Sequence, residues 1–488
     1  MTELTFEQKE DIGVKYVRDL LEPVCPYGVK RLRAEGFYAP EQKEALEREL
    51  DNVELLLRAL EADEPAVLNL RQALGTLKEL TGTMAACEDR SLTEVELFDL
   101  TSLCQRLKKL IPQAEALPGY SRLEGVRFVS VDAALAVLDP SGSKRLSFYV
   151  EDARTDALFA AREQKRALER QLRECGAPER EALLRRRQEA VRAEEDALAD
   201  IYRAMSEALR PQLAALRQCT QAAGRLDAAL SKALLARRYG CCRPAVGGET
   251  LRLTGAAHPQ LAAALEERSR RFTPIDVELS RGVTVLTGAN MGGKSVAMKT
   301  VVLNAALALS GCFVFCREAA VPLFDRMELI NRDFSNAAEG LSSFGGEILR
   351  FNAAVENLAS GGLSFIAMDE FARGTNAREG AAIARAAVRF LADKNAVTLL
   401  ATHYDGTAEY AVRHYQVKGL KRLASESEPS GTGTDRLRVI ENAMDYGLVP
   451  VEPGTQCPRD ALRICHMLGM EREILDYIER EGEAESKM

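Results

Sequence analysis

The 488-residue chain predicts an α/β domain with a mostly parallel sheet, preceded by a long all-α region. Three observations carry this expectation. From about residue 248 onward, short apolar runs alternate with helical patterns, the sequence form of a parallel sheet flanked by helices. One of those runs, Val283 to Thr287, leads straight into Gly288-Ala289-Asn290-Met291-Gly292-Gly293-Lys294-Ser295, a full G-x-x-x-x-G-K-S phosphate loop. Upstream, Ala, Leu, Arg and Glu dominate, Trp is absent and aromatics make up 6% of the chain, which suits helices better than sheets.

Taken in order, residues 1–118 are expected to form a helical bundle. Ala45, Leu46, Leu50, Val53, Leu56 and Leu57 recur at helical spacing between Pro40 and Leu60. Residues 119–240 are expected to hold a small β-hairpin and then a long arm. The hairpin would pair Val126–Val131 with Leu146–Val150 across the Asp139-Pro-Ser-Gly-Ser turn. The arm runs from Asp156 to about Ala236 and breaks at Cys175-Gly176-Ala177-Pro178, where glycine ends one helix and proline opens the next. An antiparallel helical hairpin follows from that break, with Pro211 kinking or ending its second arm. Residues 241–488 are expected to form the α/β domain, with strands at 283–287, 363–368 and 396–401. A polar loop from Ser425 to Thr434, a last strand at Leu437–Ile440 and two C-terminal helices complete it.

Composition narrows the functional classes. A net charge of −8 argues against a protein that coats nucleic acid by overall charge. The arm is locally different, with Arg162, Lys165, Arg166, Arg170, Arg173, Arg180, Arg185, Arg186, Arg187 and Arg192 outnumbering its acids. Such a run is either a solvated helix face or a phosphate-contacting surface. No apolar run approaches the roughly 20 residues needed to span a bilayer, and the N-terminus lacks the order of a secretion signal, so a soluble cytoplasmic location is expected. Eleven cysteines cannot all pair, and reduced core thiols are expected rather than a zinc site, given four histidines and no C-x-x-C pair.

The phosphate loop predicts nucleotide binding for a physical reason. Its backbone N–H groups and the positive end of the following helix face the phosphates, Lys294 holds the β/γ oxygens and Ser295 a Mg²⁺ ion. Hydrolysis needs two further groups. Leu363–Met368 ends at Asp369-Glu370, which places Asp369 at the carboxyl edge of the sheet to hold Mg²⁺ through water and Glu370 to orient or deprotonate the attacking water. The third strand ends at Ala401-Thr402-His403-Tyr404, where His403 can hydrogen-bond the γ-phosphate or that water.

These residues resemble the MutS family of DNA mismatch-repair ATPases. Thr287–Ser295 is similar to its T-G-P-N-M-G-G-K-S, Met368–Thr375 to its M-D-E-I-G-R-G-T, Thr402-His-Tyr404 to its T-H-Y, and Ser342–Glu347 to its S-T-F-x-x-E. His258-Pro259 and Phe272-Thr-Pro274 stand where the family has its H-P and the aromatic that stacks on adenine. The resemblance implies a P-loop ABC-type ATPase using ATP and Mg²⁺, with two sites completed across a dimer. By it, Asn290 lies near the γ-phosphate, Ser342 and Ser343 are offered to the partner's nucleotide, and Arg373-Gly374-Thr375 links the two sites. The C-terminal helices would form the dimer through Leu462, Ile464, Leu468, Ile474 and Ile478, although an internal core suits those residues equally. Departures include Ala289 for proline, Phe371-Ala372 for I-G and Asn376-Ala377 for S-T. No F-x-E mismatch wedge is present.

Three outputs follow from the resemblance. The first is a nucleotide-driven dimeric clamp acting on double-stranded DNA, related to mismatch repair but with mismatch reading itself doubtful, in which Arg185, Arg186 and Arg187 at the arm's tip contact phosphate. The second is an ATP-dependent reactivating factor for a cobalamin-dependent aminomutase, where the client is a protein. The third is a scaffold with a degenerate nucleotide site, disfavoured by the presence of Lys294, Ser295, Asp369, Glu370 and His403.

Overall fold

A computed structural model describes residues 4–142, 150–151, 154–288, 293–331, 343–359, 361–420, 444–452, 455 and 461–485. The helices are α1 (Phe6–Asp11), α2 (Val14–Leu20), α3 (Pro26–Ala34), α4 (Lys43–Ala62), α5 (Glu64–Gly75), α6 (Thr81–Asp89), α7 (Glu94–Glu115), α8 (Asp132–Leu138), α9 (Asp156–Glu174), α10 (Ala177–Leu209), α11 (Leu213–Tyr239), α12 (Pro259–Glu266), α13 (Gly293–Leu309), α14 (Ser343–Leu358), α15 (Ala377–Leu391), α16 (Ala461–Leu468) and α17 (Arg472–Glu485). The strands are β1 (Ala245–Val246), β2 (Leu251–Ala256), β3 (Ile275–Leu279), β4 (Gly282–Thr287), β5 (Glu318–Val321), β6 (Arg326–Ile330), β7 (Ser364–Asp369), β8 (Ala396–Ala401), β9 (Arg413–Leu420) and β10 (Met444–Pro450).

Two compact units divide the chain, and neither is continuous in sequence. One comprises residues 1–22, 35–54 and 232–488; the other comprises 23–34 and 55–231. The first therefore takes α1, α2 and most of α4 from the N-terminal region into the same unit as both sheets.

Within the first unit, six strands run in the order β10-β9-β4-β8-β7-β6. The pairings from β9 to β6 are parallel, and β10 closes the edge antiparallel to β9. All six residues of β4 and of β8 are buried, as expected of strands covered on both faces. Beneath the sheet, α15 packs Ala387, Val388 and Leu391 against Ile366, Met368 and Leu400. Asn376 starts that helix by accepting the Glu379 N–H at 3.0 Å. A second sheet has the order β1-β5-β2-β3.

The second unit is helical among its described residues. Its arm is formed by α9 and α10, which part at Cys175-Gly176 and run antiparallel, since Arg162 pairs with Glu194 and Arg187 with Glu169 at 2.9 Å each. Leu168, Ala190 and Ala197 supply its buried seam. The second arm ends at Leu209, and a short 3₁₀ turn containing Pro211 separates it from α11.

The expected hairpin in this region is corrected. Residues 126–131 form no strand, and the segment that follows is helix α8, because Ala134, Leu135 and Leu138 repeat at helical spacing and Ala134 and Leu138 are buried. Most of the second expected arm, 143–149, lies outside the described residues, as do the loop at 425–434 and the strand at 437–440. No helix among the described residues is long and apolar enough to cross a membrane.

Candidate functional site

Strand register brings the chemistry to one edge. Leu286 on β4 pairs with Ala401 on β8, which pairs with Asp369 on β7, so three chain ends finish level. Beyond that row lie Gly288, Asp369-Glu370 and Thr402-His403. The Thr402 N–H donates to the Leu286 carbonyl at 3.0 Å, and the Glu370 N–H to the Ala401 carbonyl at 2.8 Å. Main-chain bonds thus carry the ladder one residue past the strands and into the site.

Ala289, Asn290, Met291 and Gly292 lie outside the described residues, but both ends of the loop are defined. Gly288 has φ of +141°, and a Cβ added there would meet Val417 Cβ at 2.8 Å. One added at Gly293 would meet Val417 Cγ1 at 2.9 Å and Tyr446 at 3.1 Å. Both glycines are required by close approach of β9. Lys294 is 3% exposed, and its ammonium donates to the Gly288 carbonyl at 2.7 Å, bending back over the loop.

Ser295 follows on α13 and hydrogen-bonds Asp369, whose carboxyl is pushed up by burial against the opposing pull of that bond. Asp369 Oδ1 is buried without a hydrogen-bond partner among the described residues. An orphaned carboxylate oxygen beside a serine hydroxyl suits a hydrated divalent cation, so Ser295 and Asp369 fit Mg²⁺.

The turn after β7 is strained. Glu370 and Ala372 adopt φ of +51° and +64°, in the left-handed region that side chains of this kind seldom occupy. Neighbours hold the turn in place. The Ala372 N–H donates to Glu347 Oε2 at 3.1 Å, and its carbonyl accepts from the Tyr404 hydroxyl at 3.2 Å. The Glu370 carboxylate pairs with Arg373. His403 packs against Tyr404 with ring centroids 4.3 Å apart and the planes tilted by 42°, and its Nδ1 is buried with no hydrogen-bond partner among the described residues. Burial pushes the imidazole pKa down, so a neutral ring with an open acceptor or donor faces this edge.

Other expected residues are less engaged. Phe272 is half-buried on the segment entering β3. Ser342 lies outside the described residues, and Ser343 opens α14. On the arm, Arg185 pairs with Glu181 at 2.7 Å and Arg187 with Glu169 at 2.9 Å, whereas Arg186 is exposed. Exposed Arg170, Arg173, Arg180 and Arg192 likewise make no ion pair among the described residues. At the C-terminus, Ile464 packs inward against the cluster of Leu420, Met444 and Met467. Leu468, Ile474 and Ile478 are exposed, together with Met470 and Tyr477.

Residues that the sequence did not single out also build the site. Val417 and Tyr446 press on the loop glycines from the far edge of the sheet. Lys299 could have been found, since it stands four residues after Ser295 and so on the same face of α13.

Residues 284–462 match the family model for MutS domain V. The chain is 32% identical over 274 residues to a DNA mismatch repair protein MutS of Natronomonas pharaonis, covering 55% of this chain and 32% of that protein. It is 30% identical over 299 residues to the protein of the same name from Thermus thermophilus, covering 61% and 32%. With that of Solibacter usitatus it is 29% identical over 436 residues, covering 83% and 47%. The chain thus spans between about a third and a half of these relatives. With its domain V laid over the sheet edge that carries Lys294, Asp369 and His403, the chain belongs to the MutS family.

Proposed function

We propose that this chain is a Mg²⁺-dependent ATPase of the P-loop ABC type, working as a nucleotide-driven dimeric clamp on double-stranded DNA. The observation that carries the ATPase reading is the level row Leu286–Ala401–Asp369, beyond which a buried lysine shares one edge with a carboxylate oxygen and an imidazole nitrogen that have no hydrogen-bond partner among the described residues. Lys294 exchanges its bond to the Gly288 carbonyl for phosphate oxygens. Ser295 and Asp369 hold Mg²⁺, which when bound offsets charge on the phosphates. Glu370 accepts a proton from water once its carboxylate leaves Arg373, and neutral His403 orients that water or the γ-phosphate. Phe272 serves the adenine, and Ser342 and Ser343 serve the nucleotide of a second subunit.

Residues 241–488 act as the ATPase part, and 119–240 carry the arm. The apolar face of Leu468, Met470, Ile474, Tyr477 and Ile478 supports dimer formation by the C-terminal helices, and the partner copy is most simply a second copy of this chain. Five exposed arginines that make no ion pair among the described residues support phosphate contact by the arm, while the mismatch-repair link rests on the names of the relatives.

Steady-state ATP hydrolysis tests this reading. Lys294→Ala should lose nucleotide binding, and Glu370→Ala should retain ATP without turning it over. Turnover like the wild type in both variants would sink the assignment. Duplex DNA should change the rate in a salt-dependent way; indifference to DNA at low salt would move the partner from DNA to a protein client, the aminomutase-reactivating reading among them.

A further inference from the structure

Helix α1 is fastened beneath the nucleotide site by a set of polar bonds. Gln8 Nε2 donates to the Leu329 carbonyl at 2.8 Å, near the carboxyl end of β6. Asp11, at the end of α1, binds twice. Its carboxylate pairs with the Lys299 ammonium, and its Oδ2 accepts from Asn331 Nδ2 at 3.0 Å. The next carbonyl, Ile12, is held by His258 Nε2 at 3.1 Å.

Both partners of Asp11 border the cation position. Lys299 lies one helical turn after Ser295 on α13. Asn331 follows Ile330, which pairs with Met368, so Asn331 stands beside Asp369 on the neighbouring strand. Asn331 is 5% exposed, and its Oδ1, like Asp369 Oδ1, is buried with no hydrogen-bond partner among the described residues. Two orphaned acceptor oxygens on adjacent strands are an unusual expense in a folded core unless something donates to them. Hydration water of a divalent cation is a donor of that kind.

We propose that Asp11 and Asn331 are positioning residues for the Mg²⁺ side of the site. Asp11 keeps the Lys299 charge off Asp369 and turns the Asn331 carboxamide so that its Oδ1 joins Asp369 Oδ1 in accepting from the cation's water. This rests on the ATP-site reading above. It assigns to the N-terminal helix, far away in sequence, a share in cation affinity.

The test is binding of a fluorescent, non-hydrolysable ATP analogue to the full chain, titrated with Mg²⁺. Asp11→Asn keeps the shape and a carbonyl acceptor for Asn331 but frees Lys299, so the Mg²⁺ midpoint should rise about fivefold while affinity without Mg²⁺ is unchanged or slightly improved. Adding Lys299→Met to Asp11→Asn should bring the midpoint back to within about twofold, a rescue that a merely structural role for Asp11 would not give. Asn331→Ala removes only the strand-end acceptor and should raise the midpoint about threefold, which keeps the test alive if Asp11→Asn folds poorly. An unchanged midpoint in Asp11→Asn and Asn331→Ala, in a chain whose wild type responds to Mg²⁺, overturns this inference alone. A wild type that binds no nucleotide overturns the site reading and the inference together.

Discussion

Replacing Lys232 by methionine should expose how the end of α11 is held in the sheet-bearing unit. The lysine is 2% exposed, with its Nζ 2.9 Å from both Glu35 Oε2 and Glu49 Oε1 and 3.5 Å from the Ser310 carbonyl. Ser310 directly follows α13, the helix that begins at Gly293. Burial alone would push the ammonium pKa down, but Glu49 and Glu35 outweigh it and the net direction is up, so Lys232 stays charged across the working pH range. Methionine fills most of the space and leaves two carboxylates in the interior without their cation. Breaking a buried pair in this way costs about 3–5 kcal/mol. At about 2–4 °C per kcal/mol for a large domain, the corresponding calorimetric transition should fall by roughly 6–20 °C. Lys232→Met/Glu35→Leu/Glu49→Leu supplies the control, because exchanging a whole buried ion cluster for apolar side chains is often near neutral; it should recover to within about 2 kcal/mol of the wild type. A loss under 2 °C (about 1 kcal/mol) in the single variant, or a triple variant less stable than the single, would refute the reasoning.

Three further outcomes are expected. Gly293→Ala should weaken nucleotide binding and cost about 1–3 kcal/mol, because the new methyl meets Val417 Cγ1 at 2.9 Å; Val417→Ala in the same chain should restore at least half of the affinity seen by calorimetry. His258, 1% exposed and held against the Ile12 carbonyl, has its pKa pushed down by burial to about 4 from an ordinary 6.5. Above pH 6.5 the ring is neutral in both states and costs nothing. Between 6.5 and about 4 the unfolded chain takes up the proton and the folded one does not, so stability should fall by up to about 3 kcal/mol and level off below that. Thermal melts across this range should lose that component in His258→Asn, which keeps a helix-capping side chain. On the arm, reversing Arg170, Arg173 and Arg186 to Glu should lower duplex-DNA affinity and the salt slope by about 3, measured by fluorescence anisotropy, with a smaller loss on reversing Arg185 and Arg187, whose charges Glu181 and Glu169 already offset. Equal losses from the two sets would count against the arm as the contact surface.

The chemistry-bearing motifs were legible because each sits at a local boundary between patterns. Val283–Thr287, Leu363–Met368 and Ala396–Ala401 are apolar runs that stop at Gly288, Asp369 and Thr402, and the strands observed end at Thr287, Asp369 and Ala401. The Gly176 break was equally plain, because glycine and proline act on their own residues' backbone. Residues 126–131 misled: Val and Phe suggested a strand, yet 126–131 pairs with no strand among the described residues, and the segment beyond closes on itself as helix α8. The charge of the arm was also only half legible. Composition counted the arginines, but Glu169, 18 positions from Arg187, decides which of them are free.

By itself, then, the sequence determined what lies within a few residues: the G-x-x-x-x-G-K-S motif after a strand, the strand-end carboxylates and histidine, the helical arm and the family. Tertiary structure alone decided that Val417 and Tyr446 demand the loop glycines, that Glu370 is strained and paired with Arg373, and that Asp11 reaches Lys299 and Asn331 across some 300 positions. The reason is physical. Backbone preference and hydrophobic period act locally along the chain, whereas burial, ion pairing and the filling of space around a missing side chain depend on whichever segments the fold brings within a few ångströms.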